Sequence, residues 1–523
     1  MNKVDTIVVG GGIAGLTATS FLAKEKRSVI LFEKIFYFGG LVNSFVIDEH
    51  TFDGGLRSIE NSGIVFPMLK QLGIDLEFVK SHVSLVVGDS VLRLSGNESI
   101  DEYQDFLIGA FPEEEAAVRR IIKEVKKITK YMDVMYGIDN PMFMDLKNDR
   151  DYLFKELLPW LLKFILTVRK IEKLNEPIYP YLSRFTDNQA LIDNIAQHFF
   201  KDTPTSFALS YFSLYNDYNY PVGGTNQLPK ALEKFSRDNG ADLRLETAIV
   251  KVDPEEKYVL DDKGKKYYYN SLIWACDLKT LYRLIDAKKI RNGKLKKKVL
   301  KRREELKGPV GAESVYTVYM TIRKDPSYFR EVATEHCFFT PDKSGLSLVK
   351  YDDQDKASIK AYLENYIKFN TLEISIPVLR DASLSPEGET GLEVSVLFDY
   401  ELTKKIVEQG WKEEFKNYME ELMIRELIKL YPEMEGKVIK KFSSTPLTIE
   451  RYTSNTQGAI IGWSFANPRI PVIHKFSGVG KSVNTPVRDI YKAGQWSYSP
   501  AGVPISILTG KLAANKALKK KAK

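Results

Sequence analysis

Two cysteines, Cys276 and Cys337, are too few and too far apart to form a disulfide framework or a thiolate metal site. The expected compartment is therefore a reducing one. The five histidines, His50, His82, His198, His336 and His474, are scattered without ligand spacing, so no metal is expected and each reads as a surface or satisfied core residue. No run of about 18 apolar residues is present, which argues against a helical membrane span. The absence of a Gly-x-Ser-x-Gly elbow argues against an acyl-transfer hydrolase. Nor is there a basic stripe interleaved with aromatics, and a formal charge of +7 is thin for 523 residues, so nucleic acid is not an expected partner. The densest basic runs, "KLKKKVLKRR" (Lys294 to Arg303) and "KKKAK" (Lys519 to Lys523), read as a solvated helix face and a soluble end in preference to an anionic-membrane contact. "VDTIVVGGG" begins at Val4 with no charged leader or cleavage site before it. A cytoplasmic protein is expected, with a peripheral position on the inner membrane face as the alternative.

Apolar residues at 44% and charged residues at 28% are ordinary for a globular chain, and 59.7 kDa exceeds what one core usually fills, so two connected domains are expected. Twenty-eight Tyr and twenty-eight Phe leave room for a large apolar cavity, although core packing accounts for most of them.

The first recognisable unit is "VDTIVVGGGIAGLTATSFLAKEKRSVILFEK". A short buried strand, Thr6 to Val9, meets Gly10-x-Gly12-x-x-Gly15; a helix follows, and a second strand, Val29 to Phe32, ends at Glu33. In such a unit Gly10 permits a tight turn, Gly12 lets the backbone approach a diphosphate, and Gly15 lets the helix pack on the strand. Glu33 is spaced to accept hydrogen bonds from a ribose diol, which disfavours a 2′-phosphate and leaves FAD or NAD. Two further glycine pairs, Gly39-Gly40 in "YFGGLVNSF" and Gly54-Gly55 in "FDGGLRSIE", favour FAD. A flat isoalloxazine beyond the diphosphate requires close backbone approach at several successive places. Near the other end, "YKAGQWSYSPAGVPISILTGKLAA" gives a strand end at Ile490 and Tyr491, a turn from Gly494 to Pro504, and an amphipathic helix from Ile505 to Leu518. Its N-terminus would carry partial positive charge toward something electron-rich.

These blocks, together with "YNYPVGGTNQLPKAL" (Tyr218 to Leu232), "ADLRLETAIVKV", "SLIWACD" and "TPLTIERYTSNTQGAIIGW", resemble the FAD-dependent phytoene dehydrogenase, carotenoid isomerase and retinol saturase group of the amine oxidase superfamily. The resemblance covers nearly the whole chain. It implies an α/β fold in which a Rossmann-type, glutathione reductase-like FAD-binding domain (1–75, 216–285 and 441–523) carries an inserted α+β substrate or lid domain (76–215 and 286–440). It also implies Gly10, Gly12 and Gly15 at the diphosphate, Glu33 with the adjoining Lys34 at the adenosine ribose, Gly39 and Gly40 along the phosphates, and Gly55 beside the flavin. Ile249 would meet the adenine, Gly494 and Gln495 the ribityl phosphate, and Val503, Pro504 and Ile505 the pyrimidine edge. Two positions depart from the pattern: Gln495 stands where relatives often carry an acid, and Leu41 where many carry Arg.

Arg57, two residues past Gly55, is the candidate catalytic group, balancing charge on the reduced ring or guiding a proton; the competing reading is a structural ion pair with an acid such as Glu60. Trp463 and Trp496 read either as an aromatic wall of the ring site or as core. In the first insertion, "ELLPWLLKFILTVRK" (Glu156 to Lys170) is apolar from Leu157 to Val168 but for Lys163 and Thr167. As a helix it covers about 18 Å, too short to cross a bilayer, and burial between lid and core is expected in preference to lying in a leaflet. The expected activity is flavin-dependent oxidoreduction at carbon–carbon bonds of a hydrophobic polyene, isoprenoid or lipid. Cis–trans isomerisation without net redox, or amine oxidation, are the alternatives.

Overall fold

The protein is described by a computed structural model covering residues 3–96 and 99–519; the last four residues of the basic tail lie outside it. Lys3–Val9 forms the opening strand, three residues longer than expected because Lys3 and Val4 pair with Tyr268 and Tyr269. It lies at the centre of a seven-stranded sheet. On one side it runs parallel to Val29–Phe32 and then Asp242–Arg244; on the other it runs parallel to Lys266–Trp274. That nine-residue strand changes partner along its length. Its first residues join the antiparallel strands Tyr258–Asp261 and Ile249–Asp253, while Leu272 to Trp274 take up the late strand Ile490–Lys492 in parallel. The sequence of the second strand, VILF, is buried at every position, as parallel strands covered on both faces require.

The covering elements come from both extremities of the chain. Helix Ile13–Lys24 is buried from Ile13 to Ala23, its residues apolar or small with Thr17, Thr19 and Ser20 among them, because it is enclosed by the sheet and by the last helix. That last helix runs Val503–Leu518, two residues earlier than expected, since Pro504 is tolerated in a first helical turn. Ile507, Leu508, Ala513 and Ala514 share one hydrophobic core with Ala14, Ala18 and Phe21.

A second seven-stranded sheet has the order Val438–Ser444, Ser314–Ile322, Thr390–Phe398, Leu372–Ser375, His336–Thr340, Val83–Val87 and Ser90–Leu94. Side chains alternate across it with period two. Leu372, Ile374, Leu392, Val394, Cys337 and Phe339 join the core formed with helices Lys356–Phe369 and Lys412–Leu430. The intervening side chains face the other way: His336, Phe338, Glu373 and Ser395 line a cavity, and Glu393 meets Asp53 and Arg57.

A third core, helical, is built on Glu115–Tyr136 and the short helices between Ile178 and Tyr215. The apolar stretch after Glu156 packs against it differently from expectation. It forms helix Leu158–Ile171, entered through a π-helical turn at Tyr152–Leu157. Only Thr167 and Val168 of that helix are buried, and Leu162 is 68% exposed. The expected burial is therefore wrong: Thr167 and Val168, with half-buried Trp160 and Phe164, are enough to seat the helix, and Leu158, Leu161, Leu162, Ile165 and Leu166 are left exposed. The basic run near Lys294 lies on helix Gly293–Glu305, where Val299 alone is buried, in line with a solvated face.

Candidate active site

Where the first strand ends, the chain turns through Gly10, whose φ of +106° few other residues adopt. A Cβ on Gly15 would stand 1.8 Å from the Gly10 carbonyl oxygen, so the helix can sit this close to the turn only without one. Gly12 is different: a Cβ there meets nothing nearer than the Gly39 oxygen at 4.0 Å, because its Cα faces an open groove. Gly12 is also the N-cap of helix Ile13–Lys24, with no side chain capping the first N–H groups. Gly502 caps the last helix in the same bare manner. Two helix N-termini thus offer unsatisfied donors. Both Gly12 and Gly502 line one continuous cavity of about 480 Å³.

Glu33 lines it too. Its carboxylate accepts from the backbone N–H groups of Gly11 (2.7 Å), Lys34 (2.7 Å) and Ile35 (3.1 Å), which hold it at the end of the second strand. Burial pushes its carboxyl up from the ordinary value, against those N–H groups, which pull it down. Oε1 accepts two of these and Oε2 only that from Gly11, so Oε2 keeps lone-pair capacity for a ribose hydroxyl.

Of the other expected contacts, Gly10, Gly39, Gly40, Gly55, Gly494, Gln495, Val503, Pro504 and Ile505 line the cavity, as does Leu41. Gly15 supports the turn from behind. Lys34 and Ile249 are not in the lining; Lys34 reaches Ser454, and Ile249 is paired with Asp261 in its sheet. Gln495 donates weakly to the Ala459 carbonyl at 3.4 Å.

The motif blocks meet through Asp53 of "FDGG". Its carboxylate accepts from Ser44 (2.7 Å), Thr225 (2.7 Å) and the Tyr220 hydroxyl (2.8 Å), tying that loop to "YNYPVGGT". Its own N–H donates to Glu393.

Arg57 is buried in ion pairs, as the competing reading has it, but with acids other than Glu60. The guanidinium donates to Glu373 (2.8 Å), to Glu393 (3.1 Å) and to Ser395. Sequence distance hid these acids, which arrive on the inward face of the second sheet. Glu373 also pairs with His336 at 3.0 Å. Burial raises the Glu373 carboxyl, but Arg57 and His336 outweigh burial and hold it down at about 2. Glu393 has gone the other way, pushed up to about 8 by burial and by Asp53, against the pull of Arg57.

Glu60 lines the cavity separately, among Tyr136, Tyr211 and Tyr218, its carboxyl raised to about 7 by burial. His198 and His336 are also in the lining rather than in bulk core or on the surface. Burial lowers both, His198 to about 4. Among the described residues no group of three or more His, Cys, Asp or Glu side chains could hold a metal ion. Trp463 is core, fully buried and set edge-on to Trp496 at 4.8 Å between ring centres, whereas Trp496 reaches the cavity. Beyond the glycine loops the cavity wall carries the aromatic side chains Trp160, Phe164, Phe207, Phe338, Phe476 and Tyr498 beside these polar groups.

Residues 8–72 match the NAD(P)-binding Rossmann-like domain family. A prolycopene isomerase of Daucus carota is 22% identical, over 87% of this chain and 71% of its own. A 4,4′-diapophytoene desaturase of Staphylococcus aureus is 21% identical over 98% of both chains. Among solved structures, an oxidoreductase from Methanosarcina mazei superposes with a TM-score of 0.61 at 12% identity, covering 98% of this chain and 100% of that one. Putrescine oxidase bound to putrescine gives 0.60 at 15%, covering 99% and 100%. At these identities the likeness shows the fold alone. Residues 8–72 thus form a Rossmann-type dinucleotide-binding unit, set in a mixed α/β fold that the chain shares with these solved structures. More particularly, over 87% and 98% of its length the chain is similar in sequence to that prolycopene isomerase and that diapophytoene desaturase.

Proposed function

We propose that the protein is an FAD-dependent oxidoreductase acting on carbon–carbon bonds of a hydrophobic polyene or related isoprenoid. The observation that carries this reading is the single cavity that begins at the glycine cradle and ends in an aromatic wall. Gly12 and the bare N-terminus of helix Ile13–Lys24 would hold the diphosphate, Glu33 the adenosine ribose, and the Val503–Leu518 helix end the ring's electron-rich edge. FAD bound there supplies two-electron chemistry that no side chain of the cavity can. The protein's own residues orient the substrate, exclude water and hold charge. Trp160, Phe164 and Phe338 offer apolar surface to a chain without polar groups.

Arg57 serves as a positioning residue in this reading, because Glu373, Glu393 and Ser395 already engage its guanidinium. The division into a cofactor-binding part and a lid part follows the two large sheets, with the cavity between them.

Isomerisation without net redox is a second reading, supported by the similarity to prolycopene isomerases. Anaerobic incubation of the purified holoprotein with all-trans and cis polyenes, and with an amine as control, tests both. A gain of double bonds with stoichiometric reduction of FAD, or a loss of double bonds with stoichiometric oxidation of reduced FAD, supports the first reading, and changed geometry at constant electron count supports the second. Reduction by the amine alone would overturn both.

A further inference from the structure

One acid of the cavity has no partner of its own. Among the described residues three carboxyls line the space, Glu33, Glu60 and Glu373. Glu33 is held by three backbone N–H groups, and Glu373 is held by Arg57 and His336, which keep it ionised and make it a weak base. Both histidines of the lining are also bonded, His198 to the Tyr215 hydroxyl at 3.1 Å and His336 to Glu373 at 3.0 Å. Glu60 differs: among the described residues it has no ion pair, and it accepts only from its own backbone N–H.

Its position is set by the chain on both sides. Glu60 ends the two-residue strand Ile59–Glu60, whose register puts it opposite Tyr218. It stands five residues past Gly55, so the loop expected beside the flavin leads straight to it. Tyr136, at the end of helix Glu115–Tyr136, and Tyr211 line the cavity with Tyr218, and all three phenols are near enough for the charge on Glu60 to oppose their ionisation. The other acid facing Glu60 is Asp217, which accepts from the Ser62 N–H at 2.8 Å. Burial, with Asp217 beside it, raises the Glu60 carboxyl to about 7, so both of its forms are populated near neutral pH. Such a group can take or give a proton at little cost.

We propose that Glu60 is the catalytic acid and base of this cavity, exchanging a proton with a substrate carbon at the reacting bond. The proposal rests on the polyene reading above. Forming a double bond from a saturated carbon pair removes two hydrogens. One leaves with its electron pair as hydride, for which the proposed FAD is the acceptor; the other leaves the neighbouring carbon as a proton to the Glu60 carboxylate, and its C–H electrons become the π bond. Saturation is the reverse, from reduced FAD and the protonated acid. In isomerisation no electrons are exchanged: protonated Glu60 gives its proton to one carbon of the polyene, the bond to the resulting cation rotates, and return of a proton to Glu60 restores the double bond.

The test compares Glu60→Gln and Glu60→Asp with the wild type as FAD-loaded proteins. Glutamine keeps the size and polarity of the side chain but has no acid proton, so kcat should fall by roughly 100- to 10,000-fold while KM, flavin content and the polyene Kd stay within about threefold. Aspartate should restore part of the loss. Wild-type kcat should rise through about pH 7 for double-bond formation and fall through it for saturation or isomerisation, and the glutamine variant should show neither limb. Infrared difference spectra of the resting holoprotein read the same group without turnover: a protonated-carboxyl band lost as pH rises through about 7 should be present in the wild type and missing from Glu60→Gln. Undiminished kcat in Glu60→Gln, a fall in kcat matched by an equal rise in polyene Kd, or a carboxyl titration near pH 7 unchanged in that variant overturns the assignment and leaves the substrate reading intact. Wild-type holoprotein that converts no polyene refutes the substrate reading, and the role of Glu60 with it.

Discussion

Replacing Gly12 by alanine separates the groove's role from the fold's. Gly12 has φ −71° and ψ 177°, a conformation open to alanine, and a Cβ there lies 4.0 Å from its nearest neighbour. The cofactor-free protein should therefore lose no more than about 1 kcal/mol, the difference between glycine and alanine as N-cap. The new methyl projects into the groove and holds a phosphate away from the N–H groups of helix Ile13–Lys24. Losing one or two charge-assisted hydrogen bonds at roughly 1.5–3 kcal/mol each weakens FAD by ~2–4 kcal/mol, or about 30- to 1000-fold. Titration of cofactor-free protein with FAD, followed by flavin fluorescence, reads this directly. Melting in the presence of FAD checks it. At about 100 times the wild-type Kd the cofactor adds ~2.7 kcal/mol, whereas a variant weakened about 100-fold keeps ~0.4 kcal/mol at the same concentration. If Gly12→Ala binds FAD within about threefold of wild type while folding normally, the diphosphate does not lie against this helix end, and the groove has been misread.

Gly15→Ala tests the same turn from behind: its Cβ would overlap the Gly10 carbonyl, which cannot move freely, so loss of folded protein by more than ~3 kcal/mol in urea is expected. Glu393 makes stability depend on pH. Its folded-state pKa, about 8, lies above the unfolded value of 4.5, so the native state binds the extra proton between them and stability falls as pH rises through that window. Urea midpoints for Glu393→Gln should decline less between pH 5 and pH 8; an identical decline would show that this carboxyl is not protonated in the fold. Glu373 acts in the opposite direction. Held at about 2, it supplies stability above its unfolded value of 4.5 that is lost as pH falls toward 2, and Glu373→Gln should flatten the acid limb of the profile. Phe164→Ala removes cavity wall at a residue remote from the glycine cradle, so substrate KM should rise by roughly tenfold with flavin content unchanged; equal loss of flavin would place the ring contact elsewhere.

Close backbone approach leaves a sequence mark, and that is why the cofactor side of the molecule was legible. Gly10, Gly15 and Gly39 occupy positions that a side chain would fill with backbone atoms, and the Gly494 turn brings the chain's end back to Ala14. The inserted sheet was harder to read. Glu373 and Glu393 lie hundreds of residues from Arg57, and pairing across such distances has no local signature. One signal was available: "LEIS" at Leu372–Ser375 and "LEVS" at Leu392–Ser395 each place an acid between apolar residues in mid-strand, where a buried partner is required. The burial expected for Leu157 to Val168 failed for another reason. An apolar helix that needs a covering surface looks the same in sequence whether protein or another surface provides it.

The account depends most on both ends of the chain meeting around one flavin. Co-purified or added FAD should bind one per chain, and a crystal structure of the complex should show its diphosphate on Gly12 and its ring against Val503–Ile505. Correctly folded protein that stays colourless with excess FAD, or a flavin seated away from either helix end, would contradict it.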